Sequence, residues 1–355
     1  MFPGAGLLMA LLGVTVDLDE FCNTYRLRHF NGSPLCCFSC GADNSDAGPL
    51  RHTDCRPCAP WRATLITHEE FLHLFSGLHI LWSTLTGLDL SIGNVIYDLM
   101  HNCCLGVLQL FNASVLIHVL QDGLRMHGTV EQRKDSLWVS LLACYNELDT
   151  PSGERIPHSK FSAVLNTGCS AEYADMHCKA AHARHLLFAL NLLVCKRLDL
   201  NEGAFRSTRV CLAKLSRFYR ICMFSDNYIS EPYQTEAKEC LDTFLLHQNL
   251  LNAHMRTASR PRLLYGIIIK SHILSHIGDN LKFYNPKQWW CYADEDFVGA
   301  IAKMGLKEAK GRFMVTISNA VASRCRLRLF LRYDMRRRKG AGLHVVDASI
   351  ELSAD

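Results

Sequence analysis

The chain has 355 residues, of which 49% are hydrophobic and 20% are charged, and its formal net charge is +4. This composition describes a folded globular protein with one large core or two ordinary ones, and so small a charge does not by itself indicate a polyanionic partner. The 17 cysteines are scattered along a chain too long for a secreted disulfide scaffold, which favours a reducing compartment, either the nucleus or the cytoplasm.

The first apolar run covers residues 6–16 and ends before the acids Asp17 and Asp19. It has no basic flank and no small-residue cleavage site, and at about eleven residues it is too short to span a bilayer. We therefore expect a buried strand here rather than a targeting signal, and we expect no membrane partner. Because the chain opens on this core-like segment, we also expect the first elements of a larger domain to be absent.

Helical periodicity dominates the rest of the chain. Residues 31–63 are loop-like, and residues 94–97 form a short apolar segment that ends at Asp98. The predicted helices cover residues 67–86, 105–124, 134–148, 171–198, 205–224, 230–255 and 314–332, and a further helix begins at the acids near Glu295. The predicted fold class is therefore α/β and helix-rich, with a few strands near the beginning.

Two CxxC pairs form the strongest motif by spacing. Cys37 and Cys40 form the first pair, and Cys55 and Cys58 form the second after fourteen intervening residues. Each pair can turn two thiolates toward one ion, so the spacing predicts a tetrahedral four-thiolate zinc site. Four protein ligands leave no open position, which makes the predicted zinc structural. The alternative is that these four residues are free buried cysteines.

Separated acids could carry metal-dependent chemistry. Asp98 ends an apolar segment and is followed by His101, Asp17 and Asp19 follow the first apolar run, and Glu295 begins a helix. Strand-borne and helix-borne carboxylates of this kind can hold two Mg²⁺ or Mn²⁺ ions for phosphodiester cleavage. The alternatives are that Asp98 caps the following helix, that His101 is half-buried, and that Glu295 is an ordinary first-turn acid.

Two further groups of side chains could bind a ligand. His272 and His276 share one helical face, where they could bind a metal or contact phosphate, or serve as structural histidines. The only dense basic stretch could lie along a nucleic-acid backbone, or form a solvated helix end and a mobile tail. Its arginines include Arg324, Arg326, Arg328, Arg336, Arg337 and Arg338.

In their order along the chain these pieces resemble the CACTA-superfamily DNA transposases and their relatives in the RNase H-like transposase/integrase clan. The acids at residues 17–20 precede Cys36-Cys37-Phe38-Ser39-Cys40, which lies where that family has a CPxC-like segment. Asp98-Leu99-Met100-His101 is similar to its D-x-M-H-type motif. A helical stretch follows, and then Tyr292 stands shortly before Glu295, as a tyrosine does in the family.

The resemblance implies a partial RNase H-like core, a large all-α insertion, and cut-and-paste DNA strand transfer with two divalent metal ions. Asp17 or Asp19 and Glu295 would be metal ligands, and Asp98 with His101 would supply a third ligand or a contact to the DNA end. On this basis residues 1–35, 67–104 and 261–335 form the core, residues 36–66 the zinc knuckle, residues 105–260 the insertion and residues 336–355 a basic, mobile tail.

Two alignments with the family remain open. If the acid before the Cys segment is the second of the triad, the first lies upstream, and the chain is a truncated or degenerate copy that cannot catalyse alone. If Asp17 is the first acid, then Asp98 and Glu295 complete the triad, although Asp296 stands where the family has an arginine. The alternative function is a non-catalytic, zinc-stabilised helical protein that binds nucleic acid or another protein. We expect DNA as the partner and leave assembly into a homo-oligomer open.

Overall fold

The computed structural model describes residues 14–16, 37–44, 48–75, 95–123, 128–166, 170–197, 203–257 and 262–292. The chain divides into two compact units, Met1–Cys291 and Tyr292–Asp355. Of the second unit, the structure describes Tyr292 alone, so the account below concerns the first unit. The prediction of a helix-rich chain with few strands is confirmed.

Eight α-helices build the described part of the fold. One of them, α2 at Leu108–His118, is continued at both ends by π-helical turns, Met100–Val107 and Val119–Gly123. Short 3₁₀ turns cover Pro60–Thr64, Ser152–Glu154 and Pro286–Trp289. The helices are α1 His68–Phe75, α2 Leu108–His118, α3 Val130–Glu147, α4 His158–Asn166, α5 Ala180–Arg197, α6 Gly203–Phe224, α7 Glu231–Thr257 and α8 Ile269–Asp279.

One predicted helix begins later than its apolar pattern indicates. The expected helix over residues 171–198 begins at Ala180, and Ser170–Tyr173 is a strand instead. The reason lies in the intervening turn, where the Asp175 carboxylate accepts a hydrogen bond from the backbone N–H of His177 at 2.9 Å. His177 has a φ of 44°, which a right-handed helix cannot accommodate.

Helix α2 lies at the centre of the core, and all its residues are buried. Its buried polar side chains bond to neighbouring segments: the Gln109 amide donates to the Cys178 carbonyl at 2.6 Å, and the Asn112 amide donates to the Ala183 carbonyl at 2.8 Å. Among the described residues, one helical stretch, Met100–Asp122, is long and apolar enough to cross a membrane. Most of it is buried inside the fold, as a central core helix is.

The described strands form two parallel pairs. Strand β1, Val14–Val16, pairs with β2, Val95–Tyr97, so that Val16 lies opposite Tyr97. Strand β3, Ser170–Tyr173, pairs with β4, Arg262–Leu263. Both of the predicted early apolar segments therefore contain strand residues, and β2 ends directly before Asp98. The larger RNase H-like sheet remains a prediction.

Candidate metal centre

A small Cys-rich segment brings Cys37 and Cys40 to one side of the fold. Cys40 forms an antiparallel bridge with Leu65, and the backbone N–H of Gly41 donates to the Thr64 carbonyl at 3.1 Å. Both cysteines are buried in a cluster around Trp61. The Trp61 indole N–H donates to the Asp54 carbonyl at 2.6 Å, which anchors the ring within this segment.

Helix α8 supplies two imidazoles to the same place. His272 and His276 are four residues apart, so both project from one face of the helix. Both are buried, with exposures of 0% and 3%. The edge of the Trp61 ring packs against them, with ring centroids 4.3 Å from His272 and 5.4 Å from His276. The helix itself packs against the Met100–Val107 turn and α7.

Four donor atoms from these two segments surround one point. The Cys37 and Cys40 sulfurs are 3.5 Å apart, and the Nε2 atoms of His272 and His276 are 3.1 Å apart. Three of the four sulfur-to-nitrogen distances are 3.2 Å from Cys40 to His272, 3.7 Å from Cys37 to His272 and 3.6 Å from Cys37 to His276.

These distances fit the edges of a zinc coordination tetrahedron. Bond lengths of about 2.3 Å to sulfur and 2.05 Å to nitrogen give ideal edges of about 3.8 Å for S–S, 3.6 Å for S–N and 3.3 Å for N–N. The five distances given above lie within about 0.4 Å of their ideal values, and the sixth pair, Cys40 and His276, lies within the 4.8 Å that spans the group. The buried Cys37, Cys40, His272 and His276 could therefore hold a metal ion such as zinc.

The surroundings favour metal-binding forms of the side chains. Burial lowers the pKa of His272 to about 4, because a charged imidazolium would lose its hydration there. The imidazole is therefore neutral at physiological pH and keeps a lone pair for a metal.

Burial, together with the nearby Cys37, raises the pKa of Tyr97. The Tyr97 hydroxyl thus stays protonated, and it hydrogen-bonds the Ser39 hydroxyl at 2.7 Å.

The structure brings together two of the four cysteines that the spacing predicts and supplies two histidines in place of the others. Cys55 is buried, and its thiol donates to the His52 carbonyl at 3.7 Å. Its burial raises its pKa to about 12, so it remains a neutral thiol. Cys58 is exposed. Neither belongs to the group that could hold a metal.

Sequence reasoning missed this combination because it sought all the ligands in one loop. Cys40 and His272 are 232 residues apart in the chain. The usable signal was the helical spacing of His272 and His276, which together with one CxxC pair makes a Cys₂His₂ ligand set.

Asp98 caps the helical segment that follows it, which is one of the two roles that the sequence analysis left open. Its carboxylate accepts hydrogen bonds from the backbone N–H groups of Met100 at 3.1 Å and His101 at 2.9 Å. It also accepts from the N–H of Cys291 at 3.0 Å and contacts His101 Nδ1 at 2.5 Å. The donor atoms of Asp98, His101 and Cys291 form a second group that could hold a metal.

The remaining predicted site residues lie outside the described residues. They include the acids of the predicted Mg²⁺ or Mn²⁺ site other than Asp98, and the whole basic stretch. The residues concerned are Asp17, Asp19, Glu295, Arg324, Arg326, Arg328, Arg336, Arg337 and Arg338.

Comparisons with known proteins identify no relative of this chain. No protein-family model matches the sequence, and no curated protein and no solved structure matches it either.

Proposed function

We propose that this chain is a zinc-stabilised nucleic-acid-binding protein of transposase type, in which a structural zinc joins the Cys-rich segment to helix α8. The observation that carries the proposal is the closed Cys₂His₂ donor set described above. Four protein ligands leave no coordination position for water or substrate, so an ion held there stabilises the fold and does not catalyse.

The metal would join the Cys-rich segment to helix α8, which the Trp61 ring also contacts. The main buried cluster of the Cys-rich segment contains Cys37, Cys40, Ala42, Ala59 and Trp61, with Leu50 and Ile269 packed at its edge, and Phe38 and Cys55 are buried as well. So little apolar material makes the ion a large part of the segment's stability. The ion pair between Arg62 and Asp279, at 2.8 Å, supports the same junction.

A stripe of arginines on α6 supports nucleic acid as the partner. The 22 residues of α6 include five basic side chains and no acid. Four of them, at positions 206, 209, 217 and 220, lie within about 80° of one another around the helix axis at about 100° per residue. Arg206, Arg217 and Arg220 are exposed. Such a row can follow a phosphate backbone.

Nearby acids neutralise the arginine stripe only in part. Arg217 pairs with Glu236 of α7 at 2.7 Å, and both side chains are exposed. The pair is bidentate, since Nη2 of Arg217 also donates to Oε2 of Glu236 at 2.8 Å, so Glu236 neutralises this one arginine of the stripe. No acid of α7 follows Asp242 in the sequence, so the other end of α6 lies beside a helix segment that carries His247, His254 and Arg256 instead.

The test is the salt dependence of DNA affinity. A variant with Arg206→Gln, Arg209→Gln and Arg220→Gln should weaken binding and reduce the slope of log K against log salt by up to about 0.9 per lost phosphate contact. The matched control carries Lys160→Gln, Lys179→Gln and Lys282→Gln, three exposed cations outside α6. Equal slopes in the two variants would place the interface elsewhere. Absence of salt-dependent binding by the wild-type chain would refute the proposed function.

A second candidate function is metal-dependent DNA strand cleavage. What supports it is the parallel pairing of β1 and β2, which places the Asp98 carboxylate directly after a strand; in this candidate Asp98 ligates a catalytic Mg²⁺ or Mn²⁺ and not zinc. The test is Mn²⁺-dependent nicking of supercoiled DNA. Glu295→Gln should abolish nicking while zinc content and DNA affinity stay unchanged, and the control Glu239→Gln should nick normally. Unchanged nicking by Glu295→Gln would remove that residue from the mechanism.

A further inference from the structure

We propose that Asp98, His101 and Cys291 form a second metal site, which binds a transition-metal ion such as zinc through three protein ligands and leaves a fourth position open. One donor atom from each residue, a carboxylate oxygen, an imidazole nitrogen and a thiol sulfur, can be chosen so that all three lie within 4.8 Å of one another. The group shares no residue with the Cys₂His₂ set.

Two separate segments of the chain carry the three donors. Asp98 directly follows β2, and His101 lies in the first turn of the Met100–Val107 segment. Cys291 follows the 3₁₀ turn Pro286–Trp289. The side-chain amide of Asn285, at the start of that turn, donates to the carbonyls of Cys222 at 2.9 Å and Asp226 at 2.8 Å.

Backbone groups orient the carboxylate. The N–H groups of Met100 and Cys291 both donate to Oδ1 of Asp98, and the N–H of His101 donates to Oδ2. Hydrogen bonds of this kind around a ligating carboxylate fix its direction and tune the bound ion. The bond from the Cys291 N–H, at 3.0 Å, also ties the segment that carries the thiol to the end of β2.

The donor types select the metal. Mg²⁺ and Mn²⁺ prefer oxygen ligands, whereas a thiolate and an imidazole favour zinc and similar ions. The sequence assigns Asp98 and His101 to Mg²⁺ or Mn²⁺ because it does not reveal Cys291 beside them. With the thiol included, the group matches the three-ligand sites in which zinc keeps one position for water or an anionic oxygen.

Loading the site exchanges a hydrogen bond for metal bonds. His101 Nδ1 and Asp98 Oδ2 are 2.5 Å apart, and they would separate to about 3.3 Å as neighbouring ligands of a tetrahedral ion. The imidazole then carries its proton on Nε2, and the Cys291 thiol releases one proton to solvent as it becomes a thiolate ligand. The His101 side chain is 20% exposed while Asp98 is fully buried, so solvent reaches the group beside His101.

The experiment counts ions on the full chain after dialysis against buffered zinc. We expect two zinc ions per wild-type chain and one for Cys291→Ser, whereas the control Cys195→Ser, an exposed cysteine outside both groups, should keep two. In the Co²⁺ form, Cys291→Ser should remove about one third of the thiolate charge-transfer absorbance, because one of three thiolate ligands is lost.

A second variant separates loss of the ion from loss of the fold. His101→Gln changes a partly exposed side chain and should also bind one zinc, with a helical circular dichroism spectrum like that of the wild type. One ion in the wild-type protein that Cys291→Ser also keeps would overturn the proposal, because that ion would then belong to the Cys₂His₂ set. Two ions in both folded variants would overturn it as well.

Discussion

Removing the metal from the Cys₂His₂ centre should lower the thermal stability of the protein markedly. Its ligands lie on segments that are 232 residues apart, so the unfolded chain does not present them together. At free zinc about a thousandfold above Kd, an ion that binds only the folded state contributes about 4 kcal/mol. At about 2.1 cal/mol/K of unfolding entropy per residue, each kcal/mol changes Tm by about 1.3 °C in a chain of 355 residues, so chelation should lower Tm by about 5 °C.

The assay is calorimetry with and without a chelator, accompanied by zinc analysis of single-cysteine variants. Cys40→Ser removes one ligand and should match the chelated wild-type protein in both zinc content and Tm. Cys58→Ser is the matched control, because Cys58 is exposed and lies outside the donor group. It should retain the ion and the wild-type Tm.

Two results would refute the reasoning from geometry. The first is a Tm that does not respond to chelation, which would mean that the ligands hold no stabilising ion. The second is loss of zinc in Cys58→Ser to the same extent as in Cys40→Ser. That result would restore the four-cysteine site that the spacing predicts and would leave His272 and His276 as structural residues.

Three further predictions follow from individual contacts. Without metal, stability should fall by about 3 kcal/mol as the pH decreases from 6.5 to 4, measured by urea unfolding. The reason is that the pKa of His272 is lowered from 6.5 to about 4 in the folded state, so the unfolded chain takes up the proton first; a flat profile would contradict this. Phe111→Ala should cost about 3–5 kcal/mol of unfolding free energy, because the fully buried Phe111 packs against Phe244 with ring centroids 5.2 Å apart. Gly266→Ala should cost about 1–3 kcal/mol, because an added Cβ would lie 2.7 Å from the Tyr173 ring; unchanged unfolding curves would refute either estimate.

Local apolar patterns in the sequence predicted much of the helical part of the fold. The apolar periodicity that predicts a helix over residues 205–224 corresponds to α6 over Gly203–Phe224, and the predicted start at Ser230 lies one residue before α7. The same method missed the turn at Asp175, because one side-chain-to-backbone hydrogen bond interrupts a pattern that stays apolar on both sides. It also missed α4, which is only nine residues long.

The sequence by itself determined which residues form most of the helices, where β2 ends, and that Cys37 and Cys40 face one way. Those features depend on residues a few positions apart, whose spacing can be read directly. Only the tertiary structure decided that α8 packs beside the Cys-rich segment and that Cys291 reaches Asp98. Contacts of this kind depend on how apolar surfaces that are far apart in the sequence pack together. Local spacing does not predict which helix packs beside a given pair of thiols.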